Sequence, residues 1–190
     1  MSTIYLAGGC FWGMERLFRS LPGVTDVTTG YANGDSLQHA NYPDVCTGTT
    51  GFRETVRVKY DPEKIPLPHL LLAYFAVIDP QAKNRQGPDV GSQYQSGIYW
   101  SDTQTAETVE RICAVEAAGV SDFTVERGPL TCFYPAEECH QRYLEKHPGG
   151  YCHVSPWRMA ALARFPFDKI PYTGPAAELL ADFLAREMGH

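Results

Sequence analysis

The chain has 190 residues, 44% of them hydrophobic, which favours a single domain with a sizeable core. Its formal net charge is −6 and its Lys and Arg residues form no cluster, so a nucleic-acid-binding surface is excluded. The N-terminus lacks the features of a signal peptide, and no apolar stretch is long enough to span a membrane. These features predict a cytoplasmic protein that contacts neither nucleic acid nor membrane.

Strand and helix patterns alternate in the first third of the chain. Residues 3–7 predict a buried strand, 11–21 an amphipathic helix and 24–32 a second strand. A long, turn-rich loop is predicted over 33–51, and residues 52–62 alternate as a third strand. Loops of this length often carry functional residues.

The same alternation continues to the C-terminus. The remaining predictions are a helix over 68–78, a loop over 81–93, strands at 94–100, 123–128 and 130–134, helices over 103–118, 136–148 and 176–188, and loop-like chain after residue 152. Strands mixed with helices in this order indicate an α/β (α+β) two-layer sandwich, with a mixed sheet and flanking helices, formed by residues 1–190 as one domain.

Six cysteines stand at positions 10, 46, 113, 132, 139 and 152. Permanent disulfides are rare in a reducing compartment, so catalytic, metal-binding and inert buried thiols are the alternatives. The chain has no C-x-x-C motif, which argues against structural zinc. The dipeptides Cys139-His140 and Cys152-His153 nevertheless leave a zinc-binding module open as an alternative.

Cys10 lies where a strand ends and a helix begins, a position that suits an accessible thiol. A helix N-terminus favours the thiolate because it offers free N–H groups and partial positive charge. Phe11 and Trp12 follow at once, and their rings suit a pocket for a small apolar group. The alternative is that all three residues belong to an ordinary core.

Glu54 is the second candidate for chemistry. It shares one face of the predicted strand with Val56, Val58 and Tyr60, so its side chain is expected to point inward. Burial would raise its carboxyl pKa and keep the group protonated, as a proton donor requires. The alternative is that Glu54 lies at the strand end and pairs with a surface arginine.

The predicted loops supply four further candidates. Tyr42 and Tyr94 carry hydroxyls that can hold an oxygen atom, and Asp89 is placed to orient one of them. Cys152 follows Gly149-Gly150, and a flexible stretch of this kind suits a thiol that must move onto another thiol.

Five blocks of the sequence together resemble the A-type peptide methionine sulfoxide reductases, and the resemblance runs from about Tyr5 to Cys152. The blocks are GGCFWGMERLF, GYANG, NYPDVCTGTTGFRETVRVKYDP, DPQAKNRQGPDVGSQYQSGIY and FYPAEECHQRYLEKHPGGYC. The resemblance implies a two-layer sandwich around a ferredoxin-like core, no metal or organic cofactor, and repair of oxidised proteins by reduction of methionine S-sulfoxide, free or peptide-bound.

The resemblance also implies a role for each candidate. Cys10 would attack the sulfoxide sulfur, Phe11 and Trp12 would hold the substrate methyl group, and Glu54 would protonate the sulfoxide oxygen. Tyr42 and Tyr94, backed by Asp89, would hydrogen-bond that oxygen. Cys152 would then convert the Cys10 sulfenic acid into a disulfide, which thioredoxin would reduce. A monomer is expected.

The chain departs from the family pattern at several positions. Phe52 and Gln95 stand where Gly-His and Arg are usual, which leaves the surroundings of the site open. Cys139 is an extra thiol, expected to be inert because a regular helix would restrain it, and Cys46 raises the same question. Residues 1–155 are expected to form the family core, and residues 156–190 a C-terminal extension that packs on it.

A thiol hydrolase or acyltransferase with a Cys-His pair is the other enzymatic alternative. It requires a histidine beside Cys10, and no motif links His39 or His140 to that cysteine.

Overall fold

The structure, a computed structural model, describes residues 1–188. Its strands are β1 (Ser2–Ala7), β2 (Val24–Ala32), β3 (Arg53–Tyr60), β4 (Arg85–Gln86), β5 (Asp89–Val90), β6 (Gly97–Trp100), β7 (Glu126–Pro129) and β8 (Phe133–Pro135). Its α-helices are α1 (Phe11–Arg19), α2 (Tyr42–Cys46), α3 (Leu67–Phe75), α4 (Thr103–Ala117), α5 (Tyr143–Lys146), α6 (Pro156–Arg164) and α7 (Ala176–Met188). Short 3₁₀ turns occur at Leu37–His39, Ser92–Tyr94 and Glu138–His140.

Six strands form one mixed sheet in the order β7-β6-β1-β3-β2-β8. The four central strands, β6, β1, β3 and β2, are antiparallel to one another. At the edges, β8 pairs with β2 in antiparallel and β7 pairs with β6 in parallel. The elements β1, α1, β2, β3, α3 and β6 follow the β-α-β-β-α-β order of a ferredoxin-like unit. The predicted fold class, a mixed sheet flanked by helices, is confirmed.

Helix α1 begins directly after β1 and covers the sheet. Gly9 has a φ of +84°, a left-handed conformation that favours glycine, and it turns the chain out of β1. Met14, Leu17 and Phe18 are fully buried in the core against the sheet. Burial of each such side chain stabilises the fold by roughly 1.5–3 kcal/mol and fixes the start of α1 over the sheet.

The two long loops predicted from sequence contain short regular elements, so those predictions are partly wrong. Helix α2 forms within 33–51, where Oδ1 of Asn41 accepts a hydrogen bond from the Asp44 N–H at 3.2 Å and caps the helix. The β4–β5 ribbon and the second 3₁₀ turn form within 81–93. Elements this short depend on tertiary contacts, which a sequence pattern does not show.

The single helix predicted over 136–148 is wrong. The chain forms a 3₁₀ turn and then α5, with Arg142 between them at a φ of +53°. The Arg142 N–H donates to Glu15 at 2.9 Å, and the Gln141 amide donates to the Thr29 carbonyl at 2.9 Å. The bond from the Arg142 N–H takes the place of a helical hydrogen bond, and the Gln141 side chain attaches the turn to β2.

The chain after Cys152 is also more regular than predicted, because α6 forms at Pro156. Proline suits the first position of a helix, where no N–H partner is needed. Helix α7 matches its prediction, and its buried residues Ala176, Leu180 and Leu184 join the core. Within residues 1–188, every helix is too short or too polar to cross a bilayer.

Candidate active site

Cys10 occupies the N-cap of α1. Its sulfur is faced by the backbone N–H groups of Trp12 and Gly13, and 6% of the residue surface is exposed. It is therefore less open than the sequence predicted, although solvent reaches it. Burial raises the pKa of the thiol, the charge of Glu54 raises it further, and the Trp12 N–H lowers it. The N–H groups that favour the thiolate are present as expected, but burial has the larger effect on the pKa of the thiol.

Glu54 lies on β3 directly opposite Tyr31 of β2, with 1% of its surface exposed. Its Oε2 accepts a 2.9 Å hydrogen bond from the Phe11 N–H, not from a surface arginine. Burial raises the carboxyl pKa to about 8, against the opposing effect of the Phe11 N–H and with a further increase from Asp89. Glu54 is therefore largely protonated at neutral pH.

Tyr42 and Tyr94 approach this pair from the two loops. Tyr42 begins α2, and its backbone N–H donates to Oε1 of Glu137 at 2.8 Å. Tyr94 ends a 3₁₀ turn in the second loop. Burial raises the pKa of both hydroxyls, and the charge of Glu54 is the next largest cause for each. Both hydroxyls therefore lie within electrostatic range of Glu54 and Cys10.

Asp89 has a partner that the sequence analysis missed. Its Oδ2 accepts a 2.8 Å hydrogen bond from the hydroxyl of Tyr151, a residue with 44% of its surface exposed. Asp89 was expected to orient Tyr42 or Tyr94, so this finding corrects its assignment. Tyr151 precedes Cys152, and the contact holds the glycine-rich segment over the β4–β5 ribbon. The only sequence signal was the position of Tyr151 beside a candidate cysteine.

Aromatic rings form one wall of the site. Phe11 is fully buried, with its ring 5.8 Å from Tyr31, and lies beneath the wall. Trp12 is half-buried, stacks on Tyr143 with ring centroids 3.8 Å apart, and donates from Nε1 to Nδ1 of His140 at 3.3 Å. The arrangement forms an apolar surface next to Cys10.

His140 was not among the predicted site residues. Its ring centroid lies 4.4 Å from that of Tyr42 and 5.6 Å from that of Phe11. Burial lowers its pKa, so the neutral ring accepts from Trp12 at Nδ1 and carries its proton on Nε2. His140 was missed because one continuous helix was predicted over 136–148, and the break in it determines where this ring lies.

Cys152 lies beside the first turn of α1. A Cβ on Gly13 would be 3.3 Å from its sulfur, so the missing side chain makes room for the thiol. Gly13 is three residues after Cys10, which is close to one helical turn, or about 5 Å along the axis. The Cys152 thiol donates to the Val154 carbonyl at 3.1 Å. Cys10 therefore caps the first turn of α1, and Cys152 packs against that same turn.

A family model described as peptide methionine sulfoxide reductase matches residues 2–165. The chain belongs to this family. A relative from Alkaliphilus metalliredigens, named peptide methionine sulfoxide reductase MsrA, is 43% identical over 156 residues, which cover 82% of this chain and 98% of the relative. A relative of the same name from Picrophilus torridus is 47% identical over 153 residues, covering 79% and 86%.

Solved structures that are similar to this chain have the same fold. Reduced Mxr1 from Saccharomyces cerevisiae superposes with a TM-score of 0.76 at 36% identity, covering 81% of this chain and 91% of Mxr1. Methionine sulfoxide reductase A of Corynebacterium diphtheriae gives 0.70 at 38% identity, covering 79% and 76%. Mxr1 in complex with Trx2 gives 0.53 at 26% identity, covering 75% and 84%. The resemblance seen in the sequence is confirmed, and the chain is an oxidoreductase of this family.

The two positions that depart from the peptide methionine sulfoxide reductase pattern have structural roles. The ring of Phe52 is fully buried and makes edge contacts with Tyr31 and Tyr134. The buried Gln95 amide accepts from the Asn84 N–H at 2.6 Å and donates to the Thr124 carbonyl at 2.9 Å, which ties two loops together. Phe52 therefore packs beneath the candidate site, and Gln95 fixes a loop that carries part of it.

The two extra cysteines near the site differ in their surroundings. Cys46 ends α2 with its thiol in hydrogen-bonding reach of the Tyr42 hydroxyl. Cys139 is exposed in a 3₁₀ turn, so the expected restraint by a regular helix is wrong. In the part of the chain that the structure describes, no three His, Cys, Asp or Glu side chains are grouped to hold a metal ion. The rings of His140 and His153 are instead bonded to Trp12 and to the Gly8 carbonyl.

Proposed function

We propose that this peptide methionine sulfoxide reductase reduces methionine S-sulfoxide, free or in oxidised proteins, by attack of Cys10 on the sulfoxide sulfur. The observation that carries the proposal is the 2.9 Å hydrogen bond from the Phe11 N–H to Glu54, which fixes a protonated carboxyl group beside the first turn of α1. A sulfoxide becomes a good electrophile only when its oxygen takes a proton, so a nucleophile and an acid must act together.

In the first step, the oxygen atom moves from the substrate to Cys10. The Cys10 sulfur is oxidised to a sulfenic acid by two electrons while the sulfoxide sulfur is reduced to a thioether. Glu54 gives its proton to the oxygen and regains one from the Cys10 thiol as the sulfur attacks, so the acid is restored. Tyr42 and Tyr94 hold the oxygen by hydrogen bonds. Their placement beside Glu54 and Cys10 supports these roles. The N–H groups that face the Cys10 sulfur stabilise negative charge on it as the reaction proceeds.

The apolar wall binds the rest of the reacting group. Trp12 and the underlying Phe11 hold the substrate methyl group, with His140 fixing the indole through its hydrogen bond. Asp89 acts through Tyr151, which it holds over the site. No metal or organic cofactor is needed, because all the electrons come from thiols.

In the second step, Cys152 attacks the sulfenic acid, a disulfide with Cys10 forms, and water leaves. The position of Cys152 against Gly13 supports this pairing. Thioredoxin then reduces the disulfide. The similarity to yeast Mxr1, which has been solved in complex with Trx2, supports thioredoxin as the reductant.

Residues 156–190 take no part in these steps in our proposal, and the catalytic unit is a cytoplasmic monomer. The role of the extension is supported by its attachment to α4, where the Ala176 N–H and the Tyr172 hydroxyl both donate to Glu116. The described part of the extension thus acts as a cover for the core.

The test is treatment of the purified protein with methionine sulfoxide in the absence of reductant. We expect about one methionine per enzyme and a Cys10–Cys152 disulfide in peptide mass maps. Cys152→Ser should still release one methionine without forming that disulfide, and Cys10→Ser should release none. Cys139→Ser, which alters an exposed thiol, is the matched control. Methionine release by Cys10→Ser, or a different disulfide in the wild type, would overturn the proposal.

A further inference from the structure

His153 fills a slot that the missing side chains of Gly9 and Gly13 leave open, beside the Gly8 carbonyl. Its Nε2 lies 2.9 Å from the Gly8 carbonyl oxygen. A Cβ on Gly9 would lie 3.2 Å from Nε2, and a Cβ on Gly13 would lie 2.8 Å from Nδ1. The imidazole therefore wedges between the end of β1 and the first turn of α1, where any larger residue would displace it.

The hydrogen bond to Gly8 fixes which ring nitrogen carries the proton. Burial lowers the pKa of His153, so the ring is neutral near pH 7 and has one N–H. Since a carbonyl oxygen only accepts, Nε2 is the donor and Nδ1 is left with a lone pair. Among residues 1–188, Nδ1 of His153 is one of a few buried polar atoms without a hydrogen-bond partner. Burying an unsatisfied acceptor costs free energy, and such a group needs an explanation.

The sulfur of Cys152 is the neighbouring group from which Nδ1 of His153 could take a proton. The same vacant Cβ position of Gly13 lies 2.8 Å from Nδ1 of His153 and 3.3 Å from the Cys152 sulfur. Both atoms thus border one small space beside α1. In the present state the thiol donates to the Val154 carbonyl instead. When the sulfur leaves that carbonyl to reach Cys10, its proton must go to another acceptor.

We propose that Nδ1 of His153 is the proton acceptor for Cys152 in the disulfide-forming step. The inference rests on the proposed function, whose second step it completes. The Cys152 S–H bond breaks and the proton passes to Nδ1 as the S–S bond to Cys10 forms. The S–O bond of the sulfenic acid breaks, and the departing hydroxyl takes the proton from Nδ1 and leaves as water. Cys10 is reduced, Cys152 is oxidised, and the imidazole is restored.

The surroundings of Cys152 show why an acceptor is needed. The thiolate is the nucleophile, yet burial raises the pKa of this thiol, with only partial compensation from the Val154 backbone and Arg16. The charged groups that act on the pair are Arg16, which favours the Cys152 thiolate, and Asp89, which raises the pKa of His153. Arg16 is a cation and cannot accept a proton, and the carboxylate of Asp89 already accepts from the Tyr151 hydroxyl.

His153→Gln separates a chemical role from a packing role. Glutamine keeps an N–H for the Gly8 carbonyl, but its amide is not basic enough to take a proton from a thiol. In single-turnover experiments quenched with an alkylating agent, methionine release and disulfide formation are measured on the same samples. We expect methionine release within about twofold of wild type and disulfide formation at least about tenfold slower at pH 7. His69→Gln, on α3, is the matched control for loss of a histidine.

The pH dependence of the disulfide-forming rate is a second measurement. It is made on the wild type as well, so the test remains valid even if the variant does not fold. With a base of lowered pKa, wild-type disulfide formation should be flat from about pH 7 to 8 and slow only in acid. In His153→Gln the rate should rise roughly tenfold per pH unit, as hydroxide replaces the base. Unchanged disulfide formation in the variant, or a wild-type rate that climbs log-linearly through pH 7–8, would overturn the inference. Absence of methionine release from the wild type would instead overturn the proposed function.

Discussion

The Phe11 N–H and Oε2 of Glu54 are joined by a 2.9 Å hydrogen bond that links the start of α1 to the middle of the sheet. The next two N–H groups of the same helix face the sulfur of Cys10. One helical turn therefore positions the proposed nucleophile and the proposed acid together. Pairing of Glu54 with Tyr31 of β2 holds this part of β3 in the sheet.

Replacing Glu54 with Gln should remove the acid and keep the shape of the site. We expect the first methionine to form about 10²- to 10⁴-fold more slowly, while Cys10 stays open to alkylation by iodoacetamide. The wild-type rate should fall as the pH rises through about 8, because only the protonated carboxyl donates, and Glu54→Gln should lack this decline. Quenched-flow measurements from pH 6 to 10 test this. Glu63→Gln, at an exposed position after β3, is the control. Equal rates of first methionine formation in the two variants would contradict the role of Glu54 as the acid.

The same carboxyl group should make stability depend on pH. Its pKa is raised from 4.5 to about 8 in the folded state, so between these values the folded protein binds a proton that the unfolded chain has lost. The free energy of unfolding therefore falls as the pH rises through this range, by on the order of a few kcal/mol from Glu54.

Urea unfolding of wild type and Glu54→Gln at pH 5, 7 and 9 measures this effect. The variant should gain stability relative to wild type as the pH increases, because its amide does not titrate. The other buried carboxyls, Glu15 and Glu116, titrate in both proteins and cancel in the comparison. A difference that is the same at all three pH values would show that Glu54 is not protonated in the fold.

The hydroxyls of Tyr42 and Tyr94 are predicted to bind the sulfoxide oxygen. Each Tyr→Phe change should lower kcat/KM for the first step by about tenfold, the value of one hydrogen bond, and the double change should cost more. Tyr5→Phe, on the opposite face of β1, is the control. Unchanged kcat/KM in both single variants would show that the two hydroxyls do not bind the sulfoxide oxygen.

The C-terminal extension should stabilise the fold without affecting the first step. Oε1 of Glu116 accepts from the Tyr172 hydroxyl at 2.5 Å and from the Ala176 N–H at 2.7 Å. Glu116→Ala leaves these donors unpaired in a partly buried place, and we expect a loss of about 1–3 kcal/mol in urea unfolding. Tyr172→Phe should cost less, and Glu107→Ala, exposed on the same helix, should cost little. Methionine release should be unchanged in all three, and a parallel loss of activity would place the extension in the reaction.

The parts of the fold that periodicity could predict are those whose side chains contact one continuous core. Alternation along β3 correctly placed Glu54 on the buried face with Val56 and Val58. The spacing of apolar residues in α1 likewise located its buried face. In these segments the hydrophobic pattern and the hydrogen bonding of the backbone favour the same element.

The missed features depend on partners distant in sequence. Arg142 leaves the helical conformation because its N–H bonds to Glu15, 127 residues away, and this places His140 on the aromatic wall. The Tyr151–Asp89 hydrogen bond spans 62 residues. For Cys10 the sequence correctly indicates the helix N-terminus, which lowers the pKa of the thiol. It does not show the extent of burial, which has the larger effect and raises that pKa.

A helix always starts with N–H groups that lack a partner within the helix. In α1, three of these groups are committed to Glu54 and Cys10. Fraying of that turn would thus disable both groups in one event, even with the strands behind it intact. Catalytic activity therefore depends on a few peptide units at the start of α1. Heat can then inactivate the enzyme at a lower temperature than the one at which the sheet unfolds.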